Sequence, residues 1–132
     1  MPLPRRGEVW LADLGIAAKV RPGLALSVSP EPQDRVLVTL VPHTTSVRGT
    51  RFEIVVPKRF LSQGAFDAQG LVTVAPARLM KKLGRLEPGE MALVEQAVKR
   101  WLGLQRDGDE PDHAPEPRSG PGKMEASSGA AR

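Results

Sequence analysis

The chain has 132 residues, enough for one domain, and no Cys, which excludes disulfides and thiolate metal sites. Aromatic residues make up 4%, with no Tyr, so a single-strand binder built on rows of stacking rings is excluded. The net charge of +4 is unevenly spread: residues 1–104 hold 15 basic and 9 acidic side chains, whereas 105–132 hold 4 and 6. The basic part therefore suits a polyanionic partner.

Five segments read as strands in chain order: 7–14, 22–29, 35–42, 51–56 and 70–74. In 22–29, Leu24, Leu26 and Val28 share one face; in 51–56, Phe52, Ile54 and Val56 do. Gly and Pro punctuate these short runs, which points to a small barrel and not to βαβ units. Two helices are expected. Residues 76–83 open on Pro76 and stop at Gly84. Residues 88–102 carry Pro88 and Glu90 near the start and Gly103 after the end, with Val94, Ala97, Val98, Trp101 and Leu102 as one apolar stripe. The fold class is thus mainly β with short helices.

From Gln105 the composition changes. Residues 105–132 contain four Pro, four Gly and one large apolar residue, Met124, too little to offset the entropy of ordering. The domain is assigned to 1–104 and the tail to disorder. No run of about 18 apolar residues is present, so no membrane span is expected. The basic stretch Met1 to Arg6 lacks a following apolar run, so a cytoplasmic location is expected.

A set of blocks in order resembles the MazF/PemK toxin family. Arg6-Gly7-Glu8-Val9-Trp10 with Asp13-Leu14 is similar to its opening strand, and Arg21-Pro22 before Leu24-Ala25-Leu26-Ser27 to its second. Val41-Pro42-His43-Thr44-Thr45-Ser46 is similar to its third-strand exit, and Gly84-Arg85-Leu86 with Trp101-Leu102-Gly103-Leu104 to its end. The resemblance implies an SH3-like barrel that forms a homodimer and cleaves single-stranded RNA without metal or cofactor. It also implies a cognate antitoxin as partner, the pair binding operator DNA, and no membrane.

Metal-free RNA cleavage needs a base for the 2′-hydroxyl proton, donors for the crowded phosphorane and an acid for the leaving oxygen. Arg21, at the family's catalytic Arg position, offers a planar fork of donors suited to phosphate. Thr44 matches the family's catalytic Thr, with Thr45 the alternative if the register shifts by one. His43 beside it is a candidate base or acid near neutral pH. Lys19, Thr45, Ser46, Arg78, Lys81 and Lys82 are candidate RNA contacts. Two family regions depart: the loop Gly15 to Val20 has no carboxylate, and after Gly70 the residues Thr73 and Ala75-Pro76 stand where relatives carry an acid-Gln pair and, in some, an Arg just before it. These departures favour an alternative, a catalytically inactive SH3-like module that binds nucleic acid or antitoxin. The composition break at Gln105 predicts that truncation after Leu104 leaves the melting temperature within a degree or two of the full chain, on the order of nothing lost for a segment without a core. Calorimetry on both proteins checks this, and a drop of many degrees would move the boundary.

Overall fold

The computed structural model describes residues 3–15 and 19–105. The expected disordered tail lies outside the described residues except for Gln105, which donates from its side-chain amide to Gln96 at 3.2 Å. Seven strands are present: β1 (Glu8–Asp13), β2 (Val20–Ala25), β3 (Val38–Thr44), β4 (Glu53–Ile54), β5 (Ala65–Asp67), β6 (Val72–Val74) and β7 (Leu79–Arg85). One helix, α1 (Pro88–Leu102), follows them. Among the described residues no helix is long and apolar enough to cross a membrane.

The strands form one antiparallel sheet in the order β4-β5-β3-β2-β1-β7, with β6 also pairing β3. The fold is mainly β with a C-terminal helix, as the sequence implies, although the end strands β4 and β7 do not pair and the sheet stays open. Strand alternation sends side chains to two apolar clusters. On one face Val9, Leu24, Val41 and Phe66 pack with Met91, Val94, Ala97 and Val98 of α1. On the other, Ala12, Ala25, Val38, Leu40 and Leu79 pack with Trp10, Leu14, Val72 and Val74.

The centre of the sheet is β3. Its first half pairs β6, from Val38 opposite Val74 to Leu40 opposite Val72. Its last two residues pair β5, with His43 opposite Phe66 and Thr44 opposite Ala65. The same edge of β3 thus changes partner around Val41 and Pro42, and Pro42 has no N–H to offer a ladder. A short 3₁₀ turn, Ala68–Gly70, joins the two partner strands across this gap.

α1 begins and ends as its sequence predicts. The Glu87 N–H donates to the Glu90 carboxylate at 2.7 Å within a capping box, and Gly103 closes the helix at φ 69°. Trp101 and Leu102, expected on the buried stripe, are instead exposed, Trp101 touching the Phe52 ring edge-on at 5.4 Å. The expected helix at 76–83 is a second 3₁₀ turn, Pro76–Arg78, followed by β7. Pro76 does start a helical turn, but pairing of residues 79–85 with β1 outweighs the local preference. The strand β5 lacks a readable pattern at three residues and was not expected.

The loop after β4 reaches back to β7. A Cβ built on Gly84 would lie 2.3 Å from the Phe60 ring, so the bare glycine backbone is what seats that ring. Gly84→Ala is expected to lower stability by about 1–3 kcal/mol, as overpacking does. Urea unfolding measures it, and an unchanged midpoint would show that the Phe60 ring moves aside at no cost.

Candidate active site

Two adjoining clefts open beside the end of β3. The smaller, about 190 Å³, is lined by Lys19, Val20, Arg21, Pro22, His43, Thr45 and Ser62. The larger, about 430 Å³, is lined by Leu14, Arg21, Pro42, Thr44, Asp67, Gly70, Leu71 and Val72. Arg21 borders both. It stands in β2 opposite Ala12 of β1, one residue before Pro22, and is half-buried where the two clefts meet.

His43 and Thr44 are neighbours in the chain but open on different clefts, because successive strand residues face opposite ways. Thr45 joins His43 in the smaller cleft. The choice between Thr44 and Thr45 is therefore a choice between clefts, each of them bordered by Arg21. Thr44 Oγ1 accepts the Ser46 N–H at 3.0 Å, which leaves its own hydroxyl proton to donate elsewhere. Ser46, expected as an RNA contact, lines neither cleft and meets the site only through that bond.

His43 is only 3% exposed. Its ring meets Phe66 edge-on at 5.0 Å, and its side chain hydrogen-bonds to none of the described residues. Gly64 covers it closely: a Cβ there would lie 2.2 Å from the Thr44 carbonyl oxygen and 2.8 Å from His43 Cε1. Burial holds the imidazole below its ordinary pKa of 6.5, since the charged form loses its water. Desolvation thus adds to the preference for the neutral form.

The basic residues divide. Lys19 borders the smaller cleft, held at φ 60° at the close of a loop in which Leu14 N–H donates to the Lys19 carbonyl at 3.1 Å. Arg78 lies within 3.7 Å of the Asp13 carboxylate, next to the Leu14 wall of the larger cleft. Lys81 and Lys82 lie further off, on β7 opposite Leu11 and Trp10. Lys82 pairs with Glu8 at 3.0 Å. Burial alone would raise the Glu8 pKa; donation from the Arg5 N–H, the Trp10 indole and Lys82 outweighs it and holds the carboxylate below 4.5. Glu8 and Lys82 therefore serve to fasten β1, β7 and the N-terminal turn.

Two cleft residues escaped sequence reasoning. Ser62 enters from the loop before β5. Asp67, the last residue of β5, caps the Ala68–Gly70 turn by accepting the Gln69 N–H at 3.0 Å. An Asp two residues before a turn amide is a readable turn signal, but nothing local ties it to Thr44. Thr73, one of the departing family positions, is occupied by a hydrogen bond to Thr39 at 2.7 Å. Among the described residues no three His, Cys, Asp or Glu side chains are grouped to hold a metal ion.

The architecture is thus a small, all-antiparallel sheet followed by one C-terminal helix, with Arg21 bordering two clefts at the end of β3. Residues 5–102 match the family model for the PemK-like, MazF-like toxin of type II toxin–antitoxin systems. The chain belongs to this family. Among solved structures it is similar to an endoribonuclease in complex with its cognate antitoxin from a mycobacterial species, at 26% identity and a TM-score of 0.67 over 78% of this chain and 98% of that one. It is also similar to MazF from Deinococcus radiodurans, at 23% identity and a TM-score of 0.66 over 78% and 99%. A further endoribonuclease from a mycobacterial species matches at 25% identity, with a TM-score of 0.65 over 78% and 94%.

The burial of His43 has a consequence for stability. Its folded pKa lies below the unfolded value, so the unfolded chain takes up a proton first as pH falls from about 6.5. Stability present at neutral pH is lost across that window, down to the lowered folded pKa. His43→Leu lacks this loss, while the carboxylate titrations are common to both proteins. The melting temperature of wild type should therefore fall relative to His43→Leu between pH 7 and pH 5, roughly the span around the imidazole pKa. A difference independent of pH would place His43 in contact with water.

Proposed function

We propose that this chain is an endoribonuclease toxin that cuts single-stranded RNA by attack of the 2′-hydroxyl on the adjacent phosphate. The observation that carries the reading is the position of Arg21 on the rim shared by two clefts, with Thr44 in one and His43 in the other. A phosphate on that rim meets a permanent cation with two or more donors. As the phosphorane forms, Arg21 stabilises its charge and the Thr44 hydroxyl donates to a second oxygen. His43, held neutral by burial, accepts the 2′-hydroxyl proton. The attack forms the O2′–P bond and breaks the P–O5′ bond, the leaving 5′-oxygen takes a proton from water, and a 2′,3′-cyclic phosphate remains. Lys19 and Thr45 would hold the strand on the His43 side, and Arg78 on the Leu14 side. The basic excess of residues 1–104 supplies the general attraction for RNA.

Family membership supports the partners. The mycobacterial neighbour is a complex with a cognate antitoxin, and Deinococcus radiodurans MazF is also solved as a MazE–MazF assembly. We extend to this chain a cognate antitoxin, operator DNA bound by the pair, a homodimer, and action on mRNA in the cytoplasm. Leu93, Trp101, Leu102 and Leu104 are exposed along and just after α1, apolar surface that a second copy or an antitoxin segment would cover. The replaced acid-Gln positions, with Thr73 bonded to Thr39, favour the alternative of a module that binds without cutting.

Incubation of the purified protein with a long RNA in EDTA, followed by mapping of product ends, separates the two. Cyclic phosphate ends at recurrent sites are the expected result. Binding with intact RNA would establish the non-catalytic module. In the active case His43→Leu should cut roughly 10²-fold more slowly, the range of general acid–base catalysis, with RNA affinity little changed. The wild-type rate should fall on the acid side, below the ordinary imidazole range, because the base works only when unprotonated. That limb should be missing from the variant, and equal rates would remove His43 from proton transfer.

A further inference from the structure

The larger cleft has a composition that phosphate chemistry does not use. Leu14, Pro42, Leu71 and Val72 form apolar walls, and Asp67 supplies a carboxylate among them. At about 430 Å³ the space falls within the roughly 300–1,000 Å³ of small-ligand sites. A carboxylate is out of place beside an anionic strand unless it meets donors. One Asp67 oxygen accepts the Gln69 N–H at 3.0 Å. A carboxylate offers about four lone-pair sites, so acceptor capacity remains beyond that one bond.

Flat apolar walls with a hydrogen-bonding group at one end are how proteins hold a splayed-out base of single-stranded RNA and read its Watson–Crick edge. The edges differ in what they offer an acceptor-only group. Uracil places its one N–H between two carbonyl oxygens. Cytosine and adenine each set an amino group beside a bare ring nitrogen, which repels a carboxylate. Guanine alone presents two adjacent donors, N1–H and the 2-amino group, spaced to meet both oxygens of one carboxylate.

We propose that the larger cleft is a guanine-binding subsite in which Asp67 accepts from N1–H and the 2-amino group of a guanine next to the phosphate held by Arg21. The proposal rests on the reading of this site as an RNA site. It makes Asp67 a specificity residue in the cleft that Thr44 also lines. The main chain supports the role: Gly70 lies against both Pro42 and Asp67, where an added Cβ would sit 3.0 Å from the Pro42 ring and 3.1 Å from Asp67 Oδ2. The carboxylate is therefore fixed by the turn it caps and by the glycine beside it.

The test uses binding, so that it does not depend on cleavage. Two labelled single-stranded 2′-O-methyl oligonucleotides, which cannot be cut, carry one guanine or one inosine between uridines. Inosine lacks only the 2-amino group. Wild type is expected to bind the guanine form about tenfold more tightly, as loss of a hydrogen bond to a charged group implies. In Asp67→Asn, which keeps a good capping side chain for the Ala68–Gly70 turn, the preference should shrink to about twofold or less. Equal binding of both oligonucleotides by wild type, binding of neither, or a preference retained in Asp67→Asn would each overturn the subsite. A protein that cuts RNA yet binds both equally would refute the subsite alone. One that prefers guanine without cutting would support the subsite and refute the nuclease reading.

Discussion

The interruption at Pro42 is the constraint on which the site depends. β3 must be central to the sheet, because both apolar clusters draw on its side chains. Yet its outer edge cannot be served by one continuous strand, since Pro42 breaks the row of donors there. The chain resolves this with two short partners, β6 before the break and β5 after it, and a capped 3₁₀ turn between them. The turn leaves room beside Pro42, and that room is the larger cleft. Asp67, which caps the turn, becomes a wall of the cleft for the same reason.

Strand alternation then divides the chemistry. His43 faces the helix-side cluster, where Phe66 and Gly64 strip it of water. Thr44 faces the other way, toward Asp67 and Leu71. A single Arg on the neighbouring strand borders both. Burial lowers the His43 pKa, while Arg21 lines the smaller cleft with His43 and the larger with Thr44. The Glu8 network performs a separate task. It anchors the N-terminal turn, Trp10 and Lys82 around one buried carboxylate, and so fixes β1 between β2 and β7.

Much of this was legible in the residues. α1 was readable from end to end because its limits are written in local chemistry: Pro88, Glu90 and Gly103. Arg21-Pro22 and Thr44-Thr45 could be singled out through the resemblance to the MazF/PemK blocks, and His43 as an imidazole beside Thr44. β7 was not legible as a strand, since Lys81, Lys82 and the opening Pro76 read locally as helix and only pairing with β1 makes them extended. Asp67 was out of reach for a related reason. It shares a cleft with Thr44 through the partner change at Pro42, a long-range fact that no window of sequence contains. The lowered His43 pKa comes from burial, which follows from the packing of Phe66 and Gly64 around the ring.

Everything proposed for this site requires that the scissile phosphate sit against Arg21. The most direct measurement is the single-turnover rate of cleavage of one RNA by wild type and by Arg21→Ala, with the fold of each checked by circular dichroism. Removal of a charged donor aimed at developing charge costs on the order of 10²–10³ in rate. A loss of that size, at saturating enzyme and with the variant folded, is the result expected. A rate equal to wild type would show that the phosphate binds elsewhere and would contradict the account.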